Sequence, residues 1–372
     1  MNRSKIKPAV AIIGGGIFGL TSALVIGKFF PVTVFERRKD ILGEASWANQ
    51  YRHHSGYHYP RSQETIDEIL QAAGDFEKFY KPVIIKKLPS FYSIIKEGSK
   101  TTVRDFVKVC DHIGLPYKPD FPDQKFLNRS AVAACFKITE GIYDYEKLKS
   151  FIKEKIKKNK NIKLRLAHRV TGAKLGADGF KILSIAGPKK TREKFDFVIN
   201  ATYANYNDFC GWMGFPKRKI HYRLKEIVLL KIPGRKKEGV MIMDGPFATF
   251  LPTGHGSLYT FGDAPLSIHE EYALEDSAIK IEKRLKKLKT RWPQMKKRCM
   301  GWMPILAKAE YAGSMFVILP VEPASDSSDA RPTNITNHGH GCFSVLSGKI
   351  ITSVSATKTI LMNIKNASKD GE

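Results

Sequence analysis

Residues 9–38 run AVAIIGGGIFGLTSALVIGKFFPVTVFERR, and their order decides the fold: a short apolar segment, a glycine turn, a helix-length apolar run, a second short strand and an acid. Residues 9–13 are apolar throughout, as expected of a central parallel strand covered on both faces. Gly14, Gly16 and Gly19 follow as GxGxxG. The first permits a tight turn, the second lets a pyrophosphate approach the backbone, and the third lets helix and strand pack closely. The run that opens with Ile17 and Phe18 predicts a helix ended by Pro31, its N-terminal amides and positive dipole end turned toward the pyrophosphate. The strand VTVFE closes on Glu36, whose carboxylate is spaced to accept hydrogen bonds from ribose hydroxyls. A bare GxGxxG is weak evidence; strand, turn, helix, strand and acid in register make a dinucleotide site. They do not separate NAD from FAD. Glu36 argues against the 2′-phosphate of NADP, an objection that Arg37 and Arg38 soften.

Working outward, 372 residues with 42% hydrophobic content suffice for one large domain or two interleaved ones. The net charge of +26 favours acidic partners: an anionic small-molecule substrate, a nucleotide, an anionic membrane face or nucleic acid. Much of it lies in KEKIKKNKN (153–161) and KIEKRLKKLKTRW (280–292), which read as solvated faces of amphipathic helices. No zinc finger, K-homology loop or ribonucleoprotein strand accompanies them, so nucleic acid is disfavoured and any membrane contact is expected to be peripheral. No apolar run approaches the ~18 residues of a membrane helix, and no leader with a cleavage site is evident. Cys110, Cys135, Cys210, Cys299 and Cys342 are scattered, odd in number and never CxxC. A cytoplasmic setting without disulfides or a metal site is expected.

Residues 51–61, YRHHSGYHYPR, gather three tyrosines, three histidines and two arginines around Gly56. Taken alone they suit a metal site, a polar loop or the wall of a cofactor pocket; the lack of an HExxH or carboxylate-paired pattern weighs against metal. The longer run ERRKDILGEASWANQYRHHSGYHYP (36–60) resembles the segment after the second strand in FAD-dependent oxidoreductases of the D-amino-acid oxidase and glycine oxidase superfamily, which includes L-2-hydroxyglutarate oxidase. The resemblance implies FAD as cofactor, with Ala45 and Ser46 against its ribityl and pyrophosphate. It places Asn49, Gln50, His54 and Gly56 beneath the isoalloxazine, beside Arg52 and His53. In some relatives a histidine here is bonded to the flavin, a part open to His53 or His54.

Two further segments are similar to that superfamily. In NIKLRLAHRVTGAKL (161–175) and KFDFVINATYANYN (194–207), the resemblance implies that Val170 contacts adenine by its backbone and that Ala201 and Thr202 lie near the dinucleotide. Tyr203 stands where glycine is expected, which puts close backbone approach there in doubt. NITNHGHGCFSVLSGKIITSVSAT (334–357) resembles the closing strand, glycine turn and helix aimed at the flavin's pyrimidine edge, with Gly339, Gly341, Ser347, Gly348 and Lys349 as contacts. A cation such as Lys349 there raises the flavin's electron affinity; its plainer role is a lysine at a helix end.

The expected fold is α/β: a discontinuous Rossmann-type FAD-binding domain (1–88, 146–215 and 315–372) with an inserted antiparallel-sheet α+β substrate domain (89–145 and 216–314). Strands are expected at 91–99, 137–145, 221–232, 239–252 and 257–265, and helices at 62–80, 102–113, 146–158 and 271–290, leaving a cleft between the domains. Enzymes of this kind move a hydride from a carbon bearing nitrogen or hydroxyl to flavin N5. The substrate would be a small amino acid, amine, hydroxy acid or sugar derivative, and the final electron acceptor oxygen or another carrier. Arginines grip such substrates bidentately with help from tyrosine hydroxyls, for which Arg52 and Tyr57 are candidates, with Arg61, Tyr222 and Arg223 behind them; the resemblance implies a carboxylate-binding arginine shortly before the last strand, to which Arg331 corresponds. Arg331 is equally placed to pair with Asp326 or Asp329. His53, His54 and His58 are the expected bases. Two alternatives stand: a non-redox flavin enzyme acting on a nucleotide-sugar, similar to UDP-galactopyranose mutase, and a basic polyanion-binding protein. The SGKI terminus and the inserted hairpins favour the amine-oxidising group.

Overall fold

Strand β1 (Val10–Ile13), helix α1 (Ile17–Ile26) and strand β2 (Val32–Phe35) form in the order that residues 9–38 require. The computed structural model describes residues 7–232, 237–245, 248–274, 278–323, 332–346 and 348–369. β1 pairs in parallel with β2 on one side and with Phe197–Asn200 on the other. Ile162–Arg165 and Cys342–Leu346 extend this parallel sheet outward, and Asn334–Asn337 closes one edge antiparallel.

The unbroken apolar run of β1 follows from its position. Val10 and Ile12 face a core with Leu20, Leu24, Ile360 and Ile364, from α1 and the C-terminal helix Ser353–Lys369. Ala11 and Ile13 face Phe180, Ile182 and Phe195, from a three-stranded antiparallel sheet of Arg169–Gly176, Gly179–Ala186 and Lys189–Phe195. With both faces covered, the strand has no solvent side that would select a polar residue. α1 is likewise buried at every residue except Phe18, so it lacks an amphipathic stripe.

A nine-stranded, mostly antiparallel sheet stands across from this layer. Its spine is Ile220–Lys231, which pairs with Leu258–Asp263, Ile268–Leu274 and Glu310–Val321. Gly239–Met243 runs parallel to Ser90–Ile95 and antiparallel to Ala248–Pro252. Helices at Gln63–Tyr80, Val103–Ile113 and Tyr145–Lys157 match expectation. The helix expected over 271–290 does not: residues 268–274 pair with the spine strand, and the helix is confined to Ile279–Leu285. Cross-strand pairing outweighs the helical leaning of its glutamates. The three-stranded sheet and the strand Glu310–Val321 go beyond the sequence expectation. That strand pairs with the spine from Glu310 to Val321, so a boundary at 314/315 would cut it.

Glu226, fully buried in the spine, accepts hydrogen bonds from the Arg291 N–H (2.9 Å) and from the Thr290 and Ser314 hydroxyls (2.5 Å each). His269 Nε2 lies 2.8 Å from it. This carboxylate ties the segment after Ile279–Leu285 to the sheet, and that short helix reaches the cleft described below. The five cysteines are free and buried. No helix among the described residues is long and apolar enough to cross a membrane.

Candidate active site

A cleft of about 920 Å³ runs from the carboxyl ends of β1 and β2 to the inner face of the nine-stranded sheet. Ligands of open α/β sheets bind at such strand ends. At one end the walls are backbone. Gly14 sits at φ +111°, and a Cβ on it would lie 2.5 Å from the Ala201 carbonyl oxygen. A Cβ on Gly19 would lie 2.0 Å from the Gly14 oxygen, so helix and strand touch there. A Cβ on Gly16 would meet only Ser46 Oγ, at 3.5 Å. The first turn of α1 carries no acid, and Ser46 Oγ accepts the Ile17 N–H at 3.0 Å. Such a helix start favours an anion.

Glu36 follows β2, where its carboxylate accepts the N–H groups of Gly15 and Arg38, each at 2.7 Å. Burial raises its pKa against these two donors. Arg37 is drawn off to Glu44 and Glu282, and Arg38 to Glu44, so both guanidiniums are already paired. Val170 lies at the start of the strand Arg169–Gly176. The N–H groups of Ala167 and His168 donate to the carbonyls of Arg38 (2.7 Å) and Glu36 (2.9 Å), which brings Val170 to the cleft. The Ala201 N–H donates to Ile13, and the Thr202 hydroxyl to Asn200 Oδ1 at 2.6 Å. Tyr203 takes the left-handed conformation that glycine would adopt, at φ +54°, and also lines the cleft.

The middle of the cleft is the turn 45–50. Asn49 builds it: its amide donates to the carbonyls of Ala45 and Ser46, and its oxygen accepts the Tyr51 N–H and the Tyr143 hydroxyl. Ala45, Ser46, Asn49 and Gln50 all line the cleft. Beyond them lies a floor made of side chains: Arg52, His54, His58, Tyr59 and Lys349. Lys349, 4% exposed, holds its Nζ 3.9 Å over the Tyr59 ring. Arg52 donates to the Tyr92 hydroxyl at 2.7 Å, and its Nε lies 3.5 Å from Glu140 Oε1. His54 Nδ1 is also 3.5 Å from that oxygen. Burial drives the His54 pKa down to about 4, so its imidazole is neutral at pH 7. Arg61, Lys100, Glu64 and Asp244 form the rim, where Arg61 donates to Asp244 at 2.5 Å.

Several expected residues lie elsewhere. His53 turns away from the cleft toward Glu77, 2.9 Å from its carboxylate, and stacks on Phe76. Tyr57 is a core residue whose hydroxyl donates to the Pro116 carbonyl at 2.6 Å. Gly339 and Gly341 form the hairpin that joins Asn334–Asn337 to Cys342–Leu346. Because Cys342–Leu346 runs parallel to β1, its start lies at the sheet edge remote from the cleft; Gly348 and Lys349, after its end, do line it. Arg331 and Ser347 fall outside the described residues. Sequence reading passed over Tyr92 and Glu140. Neither sits in a recognisable motif, and only the fold brings them under Arg52.

Residues 9–352 match the family described as "DAO: FAD dependent oxidoreductase", and the chain belongs to this family. It is 25% identical over 368 residues to the FAD-dependent monooxygenase FPY4 of Fusarium mangiferae, covering 97% of this chain and 92% of that protein. The fold is shared with glycine oxidase from Geobacillus kaustophilus (TM-score 0.70, 13% identity, 96% and 95% of the two chains). It is shared also with L-alpha-glycerophosphate oxidase from Mycoplasma pneumoniae with FAD bound (TM-score 0.70, 14% identity, 96% and 94%). The chain is a FAD-dependent oxidoreductase, which removes both the non-redox mutase and the simple polyanion-binding readings. Its residues fit the cofactor: the Gly14–Ala201 cradle leaves no room for a Cβ, and the Glu36 carboxylate lines the same end of the cleft.

Proposed function

We propose that the protein oxidises a small anionic substrate, an amino acid, amine, hydroxy acid or sugar derivative, at a carbon bearing nitrogen or hydroxyl. FAD supplies the two-electron acceptor. Gly14, Gly16 and the start of α1 would receive its pyrophosphate, Glu36 a ribose, and Val170, Ala201 and Thr202 the adenine side. Ala45, Ser46, Asn49 and Gln50 would flank the ribityl chain, with Gly348 and Lys349 near the pyrimidine edge. The parallel-sheet layer then serves as the cofactor half and the nine-stranded sheet as the substrate half. Five buried, free thiols support a cytoplasmic setting.

The observation that carries this reading is the floor. Two buried cations, Lys349 and Arg52, the latter backed by Glu140, sit beside a neutral His54, with Lys100 and the Arg61–Asp244 pair at the rim. Buried positive charge favours an anionic substrate, since charges attract more strongly away from bulk water. A neutral imidazole offers a lone pair for a substrate N–H or O–H proton. The test is anaerobic addition of amino acids, hydroxy acids and sugar amines to the purified yellow protein. Bleaching by one compound identifies the substrate class; bleaching by dithionite alone refutes substrate oxidation. A second reading, oxygen insertion, is favoured by the full-length likeness to FPY4. It predicts no bleaching by substrate alone and turnover only with a separate reductant and oxygen. Colour retained in an acid precipitate would mark a bond to the flavin, for which His54 lines the cleft and His53 does not.

A further inference from the structure

Beneath the floor, side chains from distant parts of the chain meet. Glu140 sits in the turn between Val132–Ile138 and Gly141–Tyr143, 2% exposed and outside the lining of the cleft. Its backbone is pinned: the Ser90 hydroxyl donates to its carbonyl at 2.8 Å, and a Cβ on neighbouring Gly141 would lie 2.5 Å from the Ile85 oxygen. Its Oε2 accepts the Tyr92 hydroxyl at 3.1 Å, and that hydroxyl accepts Arg52 Nη2. Its Oε1 lies 3.5 Å from both Arg52 Nε and His54 Nδ1, and none of these three buried atoms makes a hydrogen bond among the described residues.

We infer that Glu140 is a positioning residue that sets the net charge of the cleft floor and, through Arg52 and His54, tunes the electron affinity of the bound flavin. This rests on the proposed seat of FAD along the cleft. A buried ion pair is a poor device for stability, because desolvation offsets most of its attraction. Here the geometry is also unoptimised for stability, with three buried polar atoms at ion-pair rather than hydrogen-bond distance. What the arrangement does fix is charge. Burial pushes the Glu140 carboxyl up, but Arg52, then His54, holds it below the ordinary carboxylate range, so it is ionised at neutral pH. With Arg52 positive and His54 neutral, the carboxylate offsets the guanidinium's charge at the floor. Reduction adds negative charge to a flavin, so any change in that balance shifts its potential.

The experiment is a spectroelectrochemical titration of the holoprotein and of E140Q, R52Q and the R52Q/E140Q pair. E140Q is expected to raise the midpoint potential, R52Q to lower it, and the pair to fall between them, nearer the wild type. Equal potentials, or shifts of the same sign in the two single variants while flavin is retained, would overturn the inference. If E140Q fails to fold because Arg52 is left unpaired, R52Q and the double variant still decide it: the double must lie higher, and equality refutes the role. A wild-type chain that shows no flavin spectrum on reconstitution overturns the cofactor seat as well, and is told apart by that absence.

Discussion

The two ends of the cleft are built from different materials. At the end formed by β1 and β2 the decisive contacts are backbone: the Gly14–Ala201 approach, the Gly19–Gly14 approach, and N–H groups of Gly15 and Arg38 on Glu36. At the floor they are the side chains of Arg52, His54, His58, Tyr59 and Lys349, with Tyr92 and Glu140 beneath them. A backbone-built site tolerates most residues and forbids a few, so it leaves a strict spacing of glycines in the sequence. A side-chain site demands particular groups but takes them from wherever the fold delivers them.

That contrast is open to attack at both ends. The largest effect is expected from Gly14→Val, which forces a branched side chain to φ +111° and into the Ala201 carbonyl. Strain and overpacking together come to ~2–6 kcal/mol, with loss of FAD retention read as the ratio of flavin to protein absorbance. A variant that still held one FAD per chain would show that the glycine cradle is not the seat. Next comes Arg52→Ala, which leaves Glu140 buried without its cation and should lower unfolding stability in urea by ~3–5 kcal/mol. An Arg52→Ala/Glu140→Ala pair should lose less than the sum of the single changes, and simple additivity would argue against a shared charge cluster.

A smaller effect concerns pH. The folded His54 pKa, about 4, lies below its ordinary 6.5, so the unfolded chain binds the proton more readily between those values. Stability contributed by the neutral imidazole is complete above pH 6.5 and is lost as pH falls toward 4, by ~3 kcal/mol in all. Asp263 works in the opposite sense, since burial raises its pKa to about 6 and stability there falls as pH rises from 3.8. The difference between wild type and His54→Asn isolates the histidine: the variant should show a shallower loss on acidification, and an identical slope would contradict the assignment. The least effect is expected from Glu282→Gln, which loosens the contact of a partly exposed pair between Arg37 and the helix Ile279–Leu285. Melting should register under ~1 kcal/mol, and a large loss would mean that this helix is part of the seat rather than a flank of it.

The same contrast explains what could be read in advance. Residues 9–38 declared β1, α1, β2 and Glu36 because each is a local event with a fixed spacing. Ser46, Asn49, Val170, Ala201 and Lys349 were legible through resemblance, and all of them line the cleft. The histidines were harder. His53 and His54 are adjacent in a strand-like stretch, so their side chains leave on opposite sides, and composition cannot say which side holds the cleft. Gly339 and Gly341 resembled contacts at the flavin's pyrimidine edge because glycine marks any tight turn; strand direction, which the sequence does not state, puts them at the far edge of the sheet. Glu140 carried no signal at all, since its importance comes from burial under Arg52.

The most direct test is a titration of the purified chain with FAD, followed by the visible flavin spectrum, beside the same titration of Gly14→Val. The predicted result is saturation at one FAD per wild-type chain and no comparable uptake by the variant. A wild-type chain that stays colourless, or a variant that binds FAD equally well, would contradict the account.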